Sequence, residues 1–198
     1  MGTYLRSERL RRGLGLRELA RRVSVSPSFI SQIERGLATP SVVTLYAIVQ
    51  QLGLSLDGLF AGTSPAPATN GDRRAPAPAR NIVRAGTRHS IQLGSGVRWE
   101  LLTERPEAGV DFLLAEYDVG AASAEAGQMI RHAGTEYGYV LAGRLGVAIG
   151  FESYELGPGD SISFESTMPH RLWTIGDEPV RAVWIVLGRD GDSRAPAP

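Results

Sequence analysis

The sequence predicts two domains of opposite class: an all-α unit of five short helices, followed by an all-β sandwich or barrel. Three observations carry this reading. Up to Phe60, apolar residues recur at spacings of three and four, the period of a helix with one buried face. Residues 62–80 then lose all apolar periodicity and become rich in Pro, Ala and Gly. Beyond them, short alternating runs are separated by Gly-containing turns, the pattern of many short strands.

The first helix is expected over residues 3–12, with Leu5 and Leu10 facing a core and Gly13 ending it. The second is expected over 16–23, with Leu16, Leu19 and Ala20 on one face. The third has the clearest limits. Ser26 can cap it by accepting from a free first-turn amide, and Pro27 fits the first helical position, where no N–H is needed. Ile30 and Ile33 form its buried face, and Gly36 ends it in the left-handed conformation. A fourth helix follows Pro40-Ser41, buries Val42, Leu45, Ile48, Val49 and Leu52, and stops at Gly53. A fifth is capped by Ser55 and buries Leu56, Leu59 and Phe60.

Residues 62–80 read as a flexible linker, since they offer too little apolar surface to fold alone, and 189–198 as a disordered tail of the same character. The domains are therefore 1–61 and 81–188. In the second, strands are expected at 110–119, 128–132, 137–141, 145–149, 161–164, 171–175 and 181–187.

The formal net charge is zero but unevenly spread. Residues 1–60 hold eight arginines against four acids, leaving the remainder acidic, which suits a first domain that meets a polyanion. Cysteine is absent, which excludes disulfides and thiolate metal sites. No apolar run approaches the roughly 18 residues of a membrane span, and the N-terminus lacks the apolar core of a signal peptide. A cytoplasmic protein is expected, with no membrane partner.

The second and third helices, joined across Val23-Ser24-Val25, make a helix-turn-helix. The open face of the third carries Pro27, Ser28, Ser31, Gln32 and Arg35, short polar groups able to approach base edges, and Gln can bond an adenine edge bidentately. Residues 5–60, above all Ser26-Pro-Ser-Phe-Ile-Ser-Gln-Ile-Glu-Arg-Gly-Leu-Ala-Thr-Pro40, resemble the Cro/phage-repressor (XRE) family of DNA-binding domains. The resemblance implies that Pro27, Ser28 and Gln32 read bases and that Ser26 and Ser31 lie near the backbone or flanking bases. It also implies that Arg9 and Glu34 form a partly buried ion pair. Where the family has a capping Ser, Thr or Asn and a polar residue at the start of the second helix, this chain has Gly15-Leu16, so Arg17 is expected to take the phosphate contact.

In the second half, His132 and Glu136 flank an Ala133-Gly134 bend, and a distant His170 follows Met168-Pro169. Two histidines and a carboxylate can form a facial triad suited to Fe(II) and similar metals. The same three residues can equally line a metal-free effector pocket. Strand alternation adds Gln128, Ile130, Leu172, Thr174, Gly138 and Val140 to the pocket side, and turns Arg131 and Arg171 away from it. Trp99, Tyr117 and Trp184 are expected to pack in the core, and His89 to sit on the surface.

Residues 128–187 resemble the cupin family, a small double-stranded β-barrel. His132, Glu136, Gly143, Pro158, Gly159 and His170 match its motifs, Ile130 replaces the first motif His, and Thr174 stands where Asn is common. The resemblance leaves two outcomes open: a divalent metal (Fe, Zn or Ni) on His132, Glu136 and His170, or an organic effector bound without metal. The joined layout resembles bacterial regulators that are homodimers, bind a near-palindromic double-stranded DNA operator and sense a small-molecule effector. The alternative is a mononuclear non-heme iron epoxidase acting on a hydroxyalkylphosphonate, which shares the layout and a similar His-Ala-Gly-x-Glu motif.

Overall fold

The computed structural model describes residues 1–54, 56–61, 82–105, 107 and 109–188. The expected linker 62–80, the tail 189–198 and the cap Ser55 lie outside the described residues. Five helices form in the first half: α1 (Gly2–Arg11), α2 (Leu16–Arg22), α3 (Pro27–Glu34), α4 (Val42–Leu52) and α5 (Asp57–Ala61). Leu5, Leu19, Ala20, Ile30, Ile33, Leu45, Ile48, Leu52, Leu59 and Phe60 are buried among them.

Leu10 departs from expectation and is 57% exposed. The inward face of α1 is set by Leu5 and Arg9, four residues apart, which turns Leu10 outward. Arg9 occupies that face because Glu34 waits at the end of α3. The guanidinium binds it bidentately, Nε to Oε1 at 2.6 Å and Nη2 to Oε2 at 2.9 Å, and Nη1 donates to the Leu14 carbonyl at 2.8 Å. Both side chains are almost wholly shielded from solvent. The resemblance-based expectation of this pair is met.

The start of α3 follows the sequence closely. The Ser26 hydroxyl accepts from the Phe29 amide at 3.1 Å, with Pro27 in the first turn. Ser41 caps α4 in the same way, accepting from the Thr44 amide at 3.2 Å. Gly15 caps α2 with no side-chain hydrogen bond, as its lack of a side chain requires.

The second half is a pair of antiparallel sheets around a shared apolar core. One holds six strands in the order β1 (Ser90–Gln92), β2 (Val97–Leu101), β3 (Val110–Tyr117), β9 (Val180–Leu187), β4 (Thr135–Ala142) and β7 (Ser161–Glu165). The other orders β6 (Glu152–Leu156), β5 (Arg144–Ile149) and β8 (His170–Ile175). β1, β2 and β6 lie outside the strands expected from sequence. β2 does alternate as Val-Arg-Trp-Glu-Leu, whereas β6 is an exposed edge with no apolar signal. The expected strand at 128–132 shrinks to a single bridge between Ile130 and His170. A turn closes just before it, with Gly127 at φ +81° and the Gln128 amide bonded to the Glu125 carbonyl, so regular pairing cannot extend upstream.

The two halves touch. The Gly94 amide donates to the Pro40 carbonyl at 2.9 Å, and a Cβ on Gly94 would lie 2.6 Å from the Thr39 carbonyl oxygen, so this approach requires glycine. One turn into α4, Tyr46 meets Trp99 of β2 edge-on, ring centroids 6.0 Å apart.

The Arg9–Glu34 pair should behave as a buried pair. Glu34→Ala leaves the guanidinium unpaired and should destabilise the domain by about 3–5 kcal/mol, while the double replacement Arg9→Met/Glu34→Leu should recover most of that loss. Chemical denaturation of the full chain measures both. A Glu34→Ala loss below about 1 kcal/mol would place the pair in the class of solvated surface bridges.

Candidate DNA-reading face and candidate metal pocket

The helix-turn-helix presents one polar face. With Ile30 and Ile33 turned inward, α3 leaves Pro27, Ser28, Gln32 and Arg35 exposed and Ser31 half-buried. Ser26 is also exposed, its hydroxyl already used as the cap. Arg35 folds back onto its own helix, Nε to the Ser31 carbonyl at 3.2 Å. Arg17 is exposed in the first turn of α2. All seven residues proposed from sequence therefore lie on or beside the α2–α3 surface.

The second site is in the barrel. On β4, Glu136, Gly138 and Val140 face inward while Tyr137, Tyr139 and Leu141 face out, the expected alternation. β8 brings in His170, with no solvent exposure of its side chain, and the segment bridged to it brings in His132. The Nε2 atoms of His132 and His170 lie 2.8 and 3.1 Å from the same oxygen, Glu136 Oε1. Yet all three atoms are buried without a directional hydrogen bond. Each Nδ1 faces a carbonyl at 2.9 Å, Ala133 for His132 and Met168 for His170. A carbonyl only accepts, so each Nδ1 carries the hydrogen and each Nε2 points at the shared centre.

The carboxylate is fixed from its other side. Trp184 Nε1 donates to Glu136 Oε2 at 2.6 Å. The indole fits there because Gly138, paired with Trp184 across β4 and β9, has no side chain; a Cβ would overlap the ring. Burial alone pushes the Glu136 carboxyl up, but the two imidazoles beside it outweigh this and hold it below the usual carboxylate range. An ionised, buried carboxylate needs positive charge against it. Protons on the Nε2 atoms or a metal ion would each provide it.

The donors fit a metal. Ligands at about 2.1 Å from an ion and at right angles to one another stand about 3 Å apart, close to the two His–Glu separations, and all three donor atoms lie within 4.8 Å of one another. Nδ1–H bonded to a carbonyl, and a carboxylate held by an indole, are the outer partners that metal-binding His and Glu require.

A cavity of about 30 Å³ adjoins Glu136, walled by Trp99, Leu113, Ala115, Tyr117, Ile130, Leu172, Trp184 and Val186. Trp99, Tyr117 and Trp184 are thus both core and pocket wall. Gln128 fails as a pocket residue: it is exposed, carried outward by the turn at Gly127. Thr174 is buried on the inner face of β8 with its hydroxyl donating to the Asp118 carbonyl at 2.7 Å, and like Gly138 and Val140 it does not line the cavity. Sequence reasoning missed Trp184 as the carboxylate's partner, Leu113, Ala115, Ser123 and Val186 as cavity walls, and Val42 and Tyr46, which reach the cavity from α4. Tyr46 stacks on His132, centroids 4.9 Å apart and planes within 7°. The alternation rule could have paired Trp184 with Gly138; nothing local marks Tyr46.

Comparison with known proteins agrees with both halves. Residues 5–59 match the model of the helix-turn-helix family and residues 113–186 that of the cupin domain. The Escherichia coli (strain K12) HTH-type transcriptional regulator PuuR is 28% identical over 85% of this chain and 84% of its own length. The crystal structure of an HTH_3 family transcriptional regulator from Vibrio cholerae superposes with a TM-score of 0.63 over 94% of this chain and 93% of its own, at 23% identity. Hydroxypropylphosphonic acid epoxidase from S. wedmorenis aligns over 94% of this chain with a TM-score of 0.47 and 19% identity, too loose a superposition to speak to chemistry.

Proposed function

We propose that the chain, which carries a helix-turn-helix domain and a cupin domain, is a transcriptional regulator in which α3 reads a specific DNA operator while the barrel pocket senses a small-molecule effector. The observation that carries the reading is the α3 face: Pro27, Ser28 and Gln32 are exposed on a capped helix whose opposite side is fully committed to the core. Ser26, Ser31 and Arg35 flank that face, and Arg17 supplies a cation at the start of α2, where Gly15 offers no capping side chain.

A homodimer would present two such helices, with half-sites about 34 Å apart centre to centre and a near-palindromic operator. Tyr137, Tyr139, Leu141 and Leu187 form an exposed apolar outer face on β4 and β9 that suits such pairing. Acting on genomic DNA places the protein in the cytoplasm; among the described residues no helix is long and apolar enough to cross a membrane.

His132, Glu136 and His170 are the residues that would hold a divalent ion, Fe(II), Zn(II) or Ni(II). Such an ion would supply positive charge and open positions for a donor atom of the effector. Ile130, in the place of a fourth ligand, makes the adjoining wall apolar. The enzymatic reading finds less support. Arg131 is exposed, and Arg171 is held on the outer side, Nε on the Ala124 carbonyl and guanidinium over the Trp173 ring. Neither arginine is placed to receive a phosphonate at the triad.

Operator selection from random DNA with the full chain tests the first half of the proposal. Gln32→Ala should weaken binding to the selected site by about 1–3 kcal/mol and relax its preference at one base pair. Arg17→Ala should weaken binding on all sequences and lower the salt slope by about one. A Gln32→Ala protein with unchanged preference would show that the face reads DNA in some other register.

Metal content and affinity of the purified full chain test the second. Near-stoichiometric metal is expected, lost in His132→Ala and weakened about 10–100-fold in Trp184→Phe, which removes the outer hydrogen bond to Glu136 together with part of the ring packed over Gly138. A wild-type protein that ignores all three ions would assign the pocket to a metal-free effector.

A further inference from the structure

The pocket that the barrel builds is closed by the DNA-binding half. α4 turns Val42 and Tyr46, four residues apart, onto the barrel, and both line the same cavity as Glu136. Tyr46 lies flat on His132 and edge-on to Trp99, so its ring occupies the space between a metal-type donor and a cavity wall. What remains is about 30 Å³. A single water needs about 10–15 Å³, and drug-sized ligands take sites of about 300–1,000 Å³. The space left therefore holds an ion with a water or two, and no organic effector.

We propose that α4 is an intramolecular lid: Tyr46 fills the effector's seat, so docking of the helix-turn-helix domain and binding of an organic ligand at His132 exclude one another. The inference rests on the reading of the barrel as an effector pocket and adds the element that couples it to the DNA-binding half. The docked arrangement has a second anchor away from the pocket, the Pro40–Gly94 hydrogen bond, at a point where only glycine fits. An effector that enters displaces Tyr46, and α4 leaves the barrel as it does so. α4 packs against α2, which packs against α3, so the recognition helix moves with the lid. A metal ion alone fits beneath Tyr46 and leaves the lid shut. The coupling is then specific to ligands larger than the residual cavity.

Access to His132 can be read without knowing effector, metal or operator. Diethyl pyrocarbonate acylates neutral imidazole nitrogen, is far larger than the closed cavity, and its adducts are resolved residue by residue by mass spectrometry. The full chain is treated in EDTA at a series of pH values, so that neither bound metal nor a proton on Nε2 is taken for burial, and the same chain unfolded in urea sets the rate of an accessible His132. In the wild type, His132 should react at least about tenfold more slowly than in the unfolded chain, as expected for a site reached only by local opening. Tyr46→Ala removes the lid ring, and Gly94→Val breaks the docking without touching the pocket. Both should bring the His132 rate up by about tenfold with His89 unchanged. Circular dichroism confirms that each variant keeps its helices. A His132 that reacts as fast in the folded wild type as in the unfolded chain, or stays protected in both folded variants, overturns the lid. Protection that is lost in the variants upholds it even if no effector is ever found, in which case the sensing function fails and the lid does not.

Discussion

A buried, ionised carboxylate organises the barrel. Moving such a charge out of water costs several kcal/mol even after relaxation, so it persists only where the surroundings are arranged around it. Around Glu136 that arrangement reaches deep into the fold. Gly138 is bare so that Trp184 can lie across it, Trp184 lies there to bond Oε2, and the backbone at Ala133 and Met168 fixes both imidazoles so that Nε2 faces Oε1. The sheet order places β4 beside β9 and leaves His170 to arrive from the opposite sheet. The apolar walls raise the local electrostatic stakes by keeping water out. The outcome is a centre that attracts a cation while sealed from solvent, and a seal needs a cover.

The cover comes from the other half of the chain, which ties the site to the candidate DNA-reading face of α3 through packed helices. The buried Arg9–Glu34 pair fixes α1 to α3, and the apolar faces of α2, α3 and α4 lock the remaining helices together. α4 meets α2 and α2 meets α3, so a displacement of α4 at the pocket has a path to the α3 face through packed helices. Among the described residues the contact between the halves includes a backbone hydrogen bond, a stacked ring, an edge-on ring and the apolar packing of Val42 at the cavity. A packed helical unit docked on a separate barrel is a construction in which ligand binding can shift populations of whole-domain arrangements.

Local rules are legible in the sequence. Ser26-Pro27 announces the start of α3 because cap and first-turn chemistry are set by adjacent residues. The alternation along β4 places Glu136, Gly138 and Val140 inward because the strand's period is fixed. Leu10 escapes such rules because the inward position depends on Glu34, far along the chain, which gives it to Arg9. Gln128 escapes them because alternation holds only within a regular strand, and the turn at Gly127 interrupts it. Thr174 faces the expected way, yet its hydroxyl is claimed by the Asp118 carbonyl, a contact between segments far apart in the chain. Tyr46 is invisible for the same reason on a larger scale: on its own helix it reads as one more half-apolar residue, and only domain docking sets it on His132.

Reciprocity governs a lid of this kind. If an organic effector and the docked helical domain compete, then whatever stabilises the docked arrangement weakens the effector by the same factor that the effector weakens docking. DNA enters this balance according to the arrangement it selects. An operator that binds the docked form makes the effector an inducer, and one that requires a freed helical unit makes it a corepressor. A metal ion, being compatible with the closed pocket, alters the balance only by changing how well Tyr46 stacks on a ligated His132. An effector and a metal ion would thus act at one centre with separable consequences, because the space beneath Tyr46 has room for an ion and none for a larger ligand.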